Sequence, residues 1–358
     1  MLEWLFRSEF DASATVAIWS IAAVLTTTVA LFVYTLGLRL TTIVGTRRRA
    51  RTVRQWRSIL ASAVLSADAA GTLKLPIIRA NNRTDVMEEW NRLRDTVGGD
   101  AADNLILLGQ RMGLPAVARK RLRRRRIQSK ILALQTLGHL RDAPSRSAIA
   151  SYVAHPNLAL SITAAVALVD IDAETAIETL IPMIAGRRDW PRNRVSLFLR
   201  MAGSELISEP MYRAIRSAKN EDKTYLLQFV HLVEPEVLEA LVIDIIRGVD
   251  DPSVLSAALK LVRGYSGVPR LAALTRHRSW YVRMQAAKVL GRIGQKEHLS
   301  FLESLLRDRE WWVRYRAAQA IASLPFMGPN SLRRLRDQQH DHYAADMLQQ
   351  AMAEVGLA

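Results

Sequence analysis

Cysteine is absent from this sequence of 358 residues, and aromatic residues make up only 6% of it. Without cysteine the chain has no disulfide bonds, thiolate metal sites or cysteine catalysis, although this does not identify a compartment. Acidic residues are also scarce, with 34 Asp and Glu against 50 Lys and Arg. The formal charge of +16 makes nucleic acid, anionic lipid headgroups or an acidic protein plausible partners without choosing among them.

Recognisable catalytic motifs are missing as well. The sequence has no glycine-rich phosphate loop that ends in Lys-Ser or Lys-Thr, no nucleophile elbow and no His-Glu-x-x-His motif. The one cluster of ligand-type residues lies near the end of the sequence and consists of Asp337, His340, Asp341, His342 and Asp346. His340 and His342 would point apart on a helix. We therefore expect a solvated terminal helix, and no enzymatic activity, metal, cofactor or small-molecule substrate.

One long stretch has no charged residue at all. Residues 12–38 contain about 27 consecutive uncharged residues, whereas about 20 apolar residues in a helix already cross the hydrocarbon core. The sequence therefore predicts a transmembrane helix over 12–38. A cleaved signal peptide fits less well, because Glu3 and Glu9 precede the stretch and Arg39 follows it where small residues are expected.

Basic residues follow the apolar stretch directly, at Arg39, Arg47, Arg48, Arg49, Arg51, Arg54 and Arg57. Because positively charged flanks are retained in the cytoplasm, we expect a single-pass protein of the inner (cytoplasmic) membrane. Residues 1–11 would be a short extracytoplasmic tail and the repeat domain would be cytoplasmic. Residues 39–66 would form a basic juxtamembrane segment with an amphipathic helix. That helix would lie on the headgroups or cap the domain behind it, and the sequence leaves both open.

Residues 67–126 are predicted to form an N-terminal helical cap. Its strongest feature is a basic run, which we define as Arg119, Lys120, Arg121, Arg123, Arg124, Arg125 and Arg126, with Lys130 one turn later. The nearest acidic residues in sequence, Asp103 and Asp142, lie outside the run. Because like charges on a helix repel, a counter-charge from outside would be stabilising. The run is interpreted as a surface for anionic lipid or a partner protein, with nucleic acid less favoured, or as a merely solvated face.

From residue 127 onward the sequence repeats itself about every 30 residues. Apolar segments at 131–140, 162–172, 195–203, 225–235, 255–267, 282–294 and 313–325 are each followed by a second apolar helix. The two clearest units contain Val282-Arg283 before a pair of alanines and Val313-Arg314 before another pair. Small alanines allow close helix packing, and Gly291 and Gly294 are expected to end the first helix of their unit.

These units resemble the HEAT-like repeat family, of the PBS-lyase type. The resemblance is specific over residues 270–325 and weakens towards residue 130. It implies an all-α protein in which residues 127–358 form an α-solenoid of helix pairs, with a concave interaction surface and a C-terminal capping helix. It also implies a structural role for Arg283 and Arg314, which would bond the acidic turn of a neighbouring unit through Asp308 or Glu310.

Residues 75–91 also resemble a segment of bacterial single-anchor HEAT-repeat proteins, some of which accompany exopolysaccharide-secretion machinery. The sequence thus predicts a membrane-anchored scaffold or adaptor that mediates protein–protein interaction in a membrane-associated complex, with exopolysaccharide synthesis or secretion as one expected setting. Its partners would be an integral-membrane or membrane-associated protein and anionic lipid headgroups. The alternative is a membrane-tethered nucleic-acid-binding HEAT-like repeat protein.

Overall fold

The computed structural model describes residues 12–65, 72, 75–262 and 270–356, without the side chains of 12–16 and 40–45. The regular secondary structure of these residues is helical, so the predicted all-α fold is confirmed. The chain divides into two compact units, Met1–Leu140 and Arg141–Ala358. The predicted extracytoplasmic tail, residues 1–11, lies outside the described residues.

The first unit begins with α1, Ala12–Leu65, a single helix of 54 residues that is about 80 Å long. The sequence predicts a separate juxtamembrane helix here, but in the structure this helix is continuous with the apolar stretch, and no proline interrupts residues 12–65. Within α1, Ala17–Arg39 is long and apolar enough to cross a membrane, and none of it is buried. The hydroxyl groups of Thr26, Thr27 and Thr28 donate to carbonyl oxygens one turn earlier in the helix.

Four further helices complete the described part of the first unit: α2 (Arg83–Arg94), α3 (Gly99–Arg111), α4 (Leu114–Leu122) and α5 (Ile127–His139). The C-terminal part of α1 packs against α2 and α3, and its side chains Trp56, Leu60 and Ala63 are buried. The amphipathic segment therefore caps the first unit, which is one of the two positions that the sequence left open. Helix α5 packs on α4 and α2.

The second unit is a succession of short helices. Three of its turns are 3-10 helices, at Ala143–Ser145, Val230–Leu232 and Lys296–His298. Its α-helices are α6 (Arg146–Ala150), α7 (Leu158–Ile171), α8 (Ala173–Ile184), α9 (Arg192–Ala202), α10 (Ser204–Ser217), α11 (Asn220–Leu226), α12 (Pro235–Gly248), α13 (Pro252–Leu261), α14 (Leu271–Leu274), α15 (Trp280–Ile293), α16 (Leu299–Leu305), α17 (Trp311–Ala322), α18 (Pro329–Asp337) and α19 (His342–Glu354).

Helices of the second unit stack in the manner of a solenoid. Helix α13 packs on α15, α15 on α17 and α17 on α19, while shorter helices such as α16 and α18 connect them. Three residues spaced 31 apart, Val282, Val313 and Ala344, occupy the same place on their helices and are all fully buried. One apolar face is thus repeated from unit to unit, as the sequence period predicts.

Two details of the repeats differ from the prediction. Gly294 ends α15 in a left-handed conformation with φ of 72°, but Gly291 lies inside the helix. A Cβ at Gly291 would stand 2.6 Å from that of Ala320, so the glycine is required by the close approach of α17. The segment 225–235 is not one helix, because α11 ends at Leu226 and the next α-helix begins only at Pro235.

Candidate interaction surfaces

Two of the seven flanking arginines hold α1 against α2. Arg49 pairs with Glu88, and Arg57 Nε donates to Glu89 Oε1 over 2.9 Å. Glu89 is only 5% exposed, and its second oxygen accepts from Arg92 Nη1 at 2.7 Å, so the buried carboxylate is compensated on both sides. These two arginines attach the helix to the first unit. All seven side chains are exposed, including the two in these ion pairs.

The basic run does not lie on one helix face. It occupies the last turn of α4 and the turn that leads to Ile127, the first residue of α5. Arg121 is buried and donates to the hydroxyl of Thr84. Burial lowers the pKa of Arg121, and the nearby charges of Arg124 and Arg83 lower it further. Arg121 is therefore a structural residue within a strongly positive neighbourhood.

The exposed part of the run is a compact cationic corner, which consists of Lys120, Arg123, Arg124, Arg125 and Arg126. Among the residues that the structure describes, none of these five has a carboxylate partner. Arg119 is exposed and Lys130 is half-buried, and both have partners. A local excess of five charges favours an anion from outside the chain. The corner is thus the part of the run that is exposed and has no carboxylate partner among the described residues.

Arg283 forms a buried bidentate ion pair with the next acidic turn. Its Nε and Nη2 lie 2.6 and 2.7 Å from the two carboxylate oxygens of Asp308, and both side chains are less than a tenth exposed. The backbone N–H of Glu310 donates to the same carboxylate at 2.9 Å. Burial raises the pKa of Asp308, but the hydrogen bonds from Arg283 and Glu310 outweigh it and hold the pKa below its ordinary value. This geometry is the structural role that the family resemblance implies.

Arg314 repeats only half of that arrangement. Its Nη1 donates to the backbone oxygens of Asp308 and Arg309 at 2.7 and 3.2 Å, as Arg283 does in the turn before its own helix. The position that corresponds to Asp308 for this arginine, 25 residues later, is Gln339. The Nε of Arg314 is buried without a hydrogen-bond partner in the described structure. Arg283 therefore makes the bond to an acidic side chain in addition to its backbone contacts, whereas Arg314 makes the backbone contacts alone.

The ligand-type residues near the end of the chain serve helix structure instead. Asp341 caps α19 by accepting from the N–H of Tyr343 at 3.0 Å, and Asp337 pairs with Arg336 at 2.7 Å. His342 is exposed. Within the described ranges, no three histidine, aspartate or glutamate side chains are grouped so as to hold a metal ion.

The second unit also has an exposed aromatic surface that the sequence did not predict. Tyr281, Trp312 and Tyr343, which we call the aromatic ladder, are 53%, 50% and 55% exposed. They are 31 residues apart in sequence, so an alignment of the chain with itself at that offset reveals them as equivalent. Their exposure could not be read from the sequence, since aromatic residues at helical spacing more often belong to a core.

Comparison with protein families agrees with the helix pairing. The family model described as HEAT repeats matches residues 226–322 and again 268–354. The C-terminal part of the second unit therefore carries HEAT repeats. No curated protein sequence matches the chain.

Several solved structures resemble the chain weakly. A Kap121p mutant is 13% identical over 83% of this chain, which spans 37% of that protein, with a TM-score of 0.48. An engineered protein is 14% identical, with coverage of 85% and 95% and a TM-score of 0.33. Human deoxyhypusine hydroxylase in complex with glycerol is 15% identical, with coverage of 77% and 97% and a TM-score of 0.20. At these levels the likenesses carry no inference about function.

Proposed function

We propose that this protein is a membrane-anchored scaffold that holds a HEAT-repeat interaction surface at the cytoplasmic face of an inner membrane. The observation that carries the proposal is the continuity of α1. Its apolar stretch Ala17–Arg39 is not buried, and the same helix runs on into Trp56 and Leu60, which belong to the core of the first unit. An uncovered apolar helix of 23 residues is long enough for a hydrocarbon layer.

The same helix favours a permanent anchor over a cleaved leader. After Arg39 it continues to Leu65, and a small-residue cleavage motif is missing at the end of the apolar stretch. The arginines that follow favour a cytoplasmic location for both compact units, with the amino terminus outside.

The position of the first unit along α1 supports contact with headgroups. From Leu38 to Arg49, where the ion pairs with α2 begin, the helix advances about 16 Å. The polar layer of one leaflet is about 5 to 8 Å thick. The first unit would then begin about a Debye length from the surface, where anionic headgroups still attract its cations. We infer that Arg47, Arg48 and the cationic corner are attracted to anionic lipid headgroups.

A role in binding proteins follows from the repeats. Stacked helix pairs expose an extended surface that suits a macromolecular partner better than a small substrate. The partner would be an integral-membrane or membrane-associated protein, because the anchor confines the repeats to that surface. The pathway remains a prediction from residues 75–91 alone, namely exopolysaccharide synthesis or secretion.

Purification in mild detergent followed by mass spectrometry tests the scaffold. The full-length parent should retain a specific integral-membrane protein, and Leu290→Asp, which keeps α1 but disrupts the repeats, should lose it. A variant with Gln at Lys120 and Arg123 to Arg126 separates the cationic corner from the repeats. Nuclease-sensitive nucleic acid in place of a protein partner would contradict the scaffold and support the nucleic-acid alternative.

A further inference from the structure

The aromatic ladder lies at equivalent places on three stacked helices. Tyr281, Trp312 and Tyr343 are each the second residue of their helix, in α15, α17 and α19. The residue that follows each ring is fully buried, so the three helices present the same side to the core and the same ring to solvent. The ladder is therefore a product of the repeat itself.

The spacing of the ladder follows from helix packing. Helices in contact lie about 8 to 10 Å apart, and α15 packs on α17 as α17 packs on α19. Gly291 allows α15 and α17 to approach closely, because only hydrogen fits between it and Ala320. Equivalent rings should consequently recur about every 8 to 10 Å.

A neighbouring aromatic ring or guanidinium packs against each ring of the ladder. The ring of Tyr281 stacks on Trp280 with centroids 3.6 Å apart, and Trp312 meets Trp311 edge-on at 4.6 Å. The ring of Tyr343 has the guanidinium of Arg314 5.4 Å from its centroid. Rings that are already ordered lose less entropy when a partner binds them.

Exposed arginines accompany the ladder at the same 31-residue spacing. Arg278 and Arg309 stand three residues before Tyr281 and Trp312, and their side chains are 76% and 78% exposed. Their carboxylate neighbours, Asp250 and Glu310, are 4.0 Å away, which is the limit of an ion pair. Each of these two rungs thus combines an aromatic ring with a cation that retains capacity for an acidic partner.

We propose that the aromatic ladder binds an extended, proline-rich segment of a partner protein that carries acidic residues. A polyproline II helix makes one turn every three residues with a rise of about 3.1 Å each, or about 9 Å per turn, which falls within the range expected between neighbouring rungs from helix packing. Proline-rich segments dock on aromatic rings elsewhere in this conformation. Acidic residues of the segment would meet Arg278 and Arg309. The inference rests on the proposed scaffold function, for which it names the class of partner.

Fluorescence anisotropy with the full-length protein in detergent tests the ladder directly. The probe is a labelled peptide of four Pro-Pro-Glu triplets, and its matched controls are peptides of four Gly-Gly-Glu and four Pro-Pro-Lys triplets. We expect the first peptide to bind more tightly than both controls. Equal binding of the Gly-Gly-Glu peptide would overturn the proposal, because charge alone would then account for the affinity.

Substitutions locate the binding surface. Trp312→Ala removes an exposed ring and should weaken binding about three- to tenfold, while Trp312→Phe should restore most of it. Met201→Ala on α9, also an exposed apolar side chain, is the matched control and should change nothing. Unchanged affinity of Trp312→Ala with native circular dichroism would overturn the assignment.

Three further results test this inference separately from the scaffold proposal. If parent and Trp312→Ala capture the same membrane protein but neither binds the peptide, the ladder inference fails and the scaffold stands. If Trp312→Ala loses binding to anionic vesicles instead of the peptide, the ladder faces lipid and the inference is wrong. Peptide binding without any captured membrane protein supports the ladder and contradicts the scaffold.

Discussion

Different kinds of contact stabilise the interior of each of the two compact units. In the first unit each buried polar contact is particular to its place. Trp90 Nε1 donates to the backbone oxygen of Leu105 at 3.0 Å, and Asn91 Nδ2 donates to Thr136 Oγ1 at 2.9 Å. These pairs join residues 15 and 45 apart in sequence, and no period relates them. Because no period relates these contacts, the sequence alone does not predict them.

In the second unit one arrangement recurs. Val282, Val313 and Ala344 fill the same place at successive steps of 31 residues, and Arg283 and Arg314 bond the turns before their helices alike. Because each repeat buries its apolar face only on its neighbours, damage should spread along the stack and stop at its end. The comparison therefore predicts local failure in one unit and propagated failure in the other.

The largest effect is expected from Leu290→Asp. Leu290 is fully buried in α15, where an unpaired carboxylate costs several kcal/mol. Hydrogen exchange should show lost protection across α13 to α19 while α2 to α5 keep theirs. Exposed His342→Ala is the control and should change stability by less than about 0.5 kcal/mol. Uniform loss of protection in both units would contradict the division.

Removing the buried carboxylate at Asp308 should rank second. Asp308→Asn leaves Arg283 without its charged partner, which costs about 3 kcal/mol in the unfolding free energy. Since folding lowers the pKa of Asp308, its stabilisation is present above the unfolded pKa near 4 and is lost as pH falls through the folded pKa. Urea titrations should show the parent weakening below about pH 4 and the variant losing less there. Equal pH slopes would show that the pair is uncoupled from folding.

Each unit has a glycine at which an added Cβ would come too close to a neighbouring residue, Gly291 in the second unit and Gly109 in the first. An added Cβ at Gly291 would meet the backbone Cα of Ala320 at 2.8 Å, so Gly291→Ala should cost about 1–3 kcal/mol. At Gly109 in the first unit an added Cβ would meet only side chains, the end of Leu140 at 2.7 Å, which can rotate, and the Trp90 ring at 3.0 Å, which would have to shift by a few tenths of an ångström. Gly109→Ala should therefore cost less, and the gain in helix propensity offsets part of it. Thermal unfolding of both variants measures the difference, and a costlier Gly109→Ala would reverse the argument.

The smallest effect should be a gain in the stability of the second unit. Gln339 stands where the acidic partner of Arg314 would be, and Arg314 Nε is buried without an acceptor in the described structure. Gln339→Asp should stabilise the second unit by about 1 kcal/mol in urea unfolding. In the double variant Gln339→Asp with Arg314→Gln this gain should vanish. A gain that survives in the double variant would assign the effect to another contact.

The period of the sequence predicted repeated helix pairs, whereas the resemblance to HEAT-like repeats implied the solenoid and a bond from Arg283 to Asp308 or Glu310. The period did not predict that Arg121 is buried. The sequence places this residue among other cations, and only the packing of α2 on its neighbours sets Thr84, 37 residues earlier, against it. Exposure of the aromatic ladder depends on how the helices pack, and the sequence period alone does not predict which side of each helix is exposed. The continuity of α1 is consistent with the lack of proline, although the change from apolar to basic residues after Leu38 predicts two separate elements.

Thiol labelling of intact cells tests the central claim most directly, which is that α1 crosses a membrane and holds both units in the cytoplasm. Single cysteines at Ser8 and at exposed Ser217 suit this measurement, since the chain has no other cysteine. With any outer membrane permeabilised, a membrane-impermeant reagent should label Ser8→Cys, and should label Ser217→Cys only after the inner membrane is lysed. Labelling of Ser217→Cys but not Ser8→Cys before lysis would contradict the account.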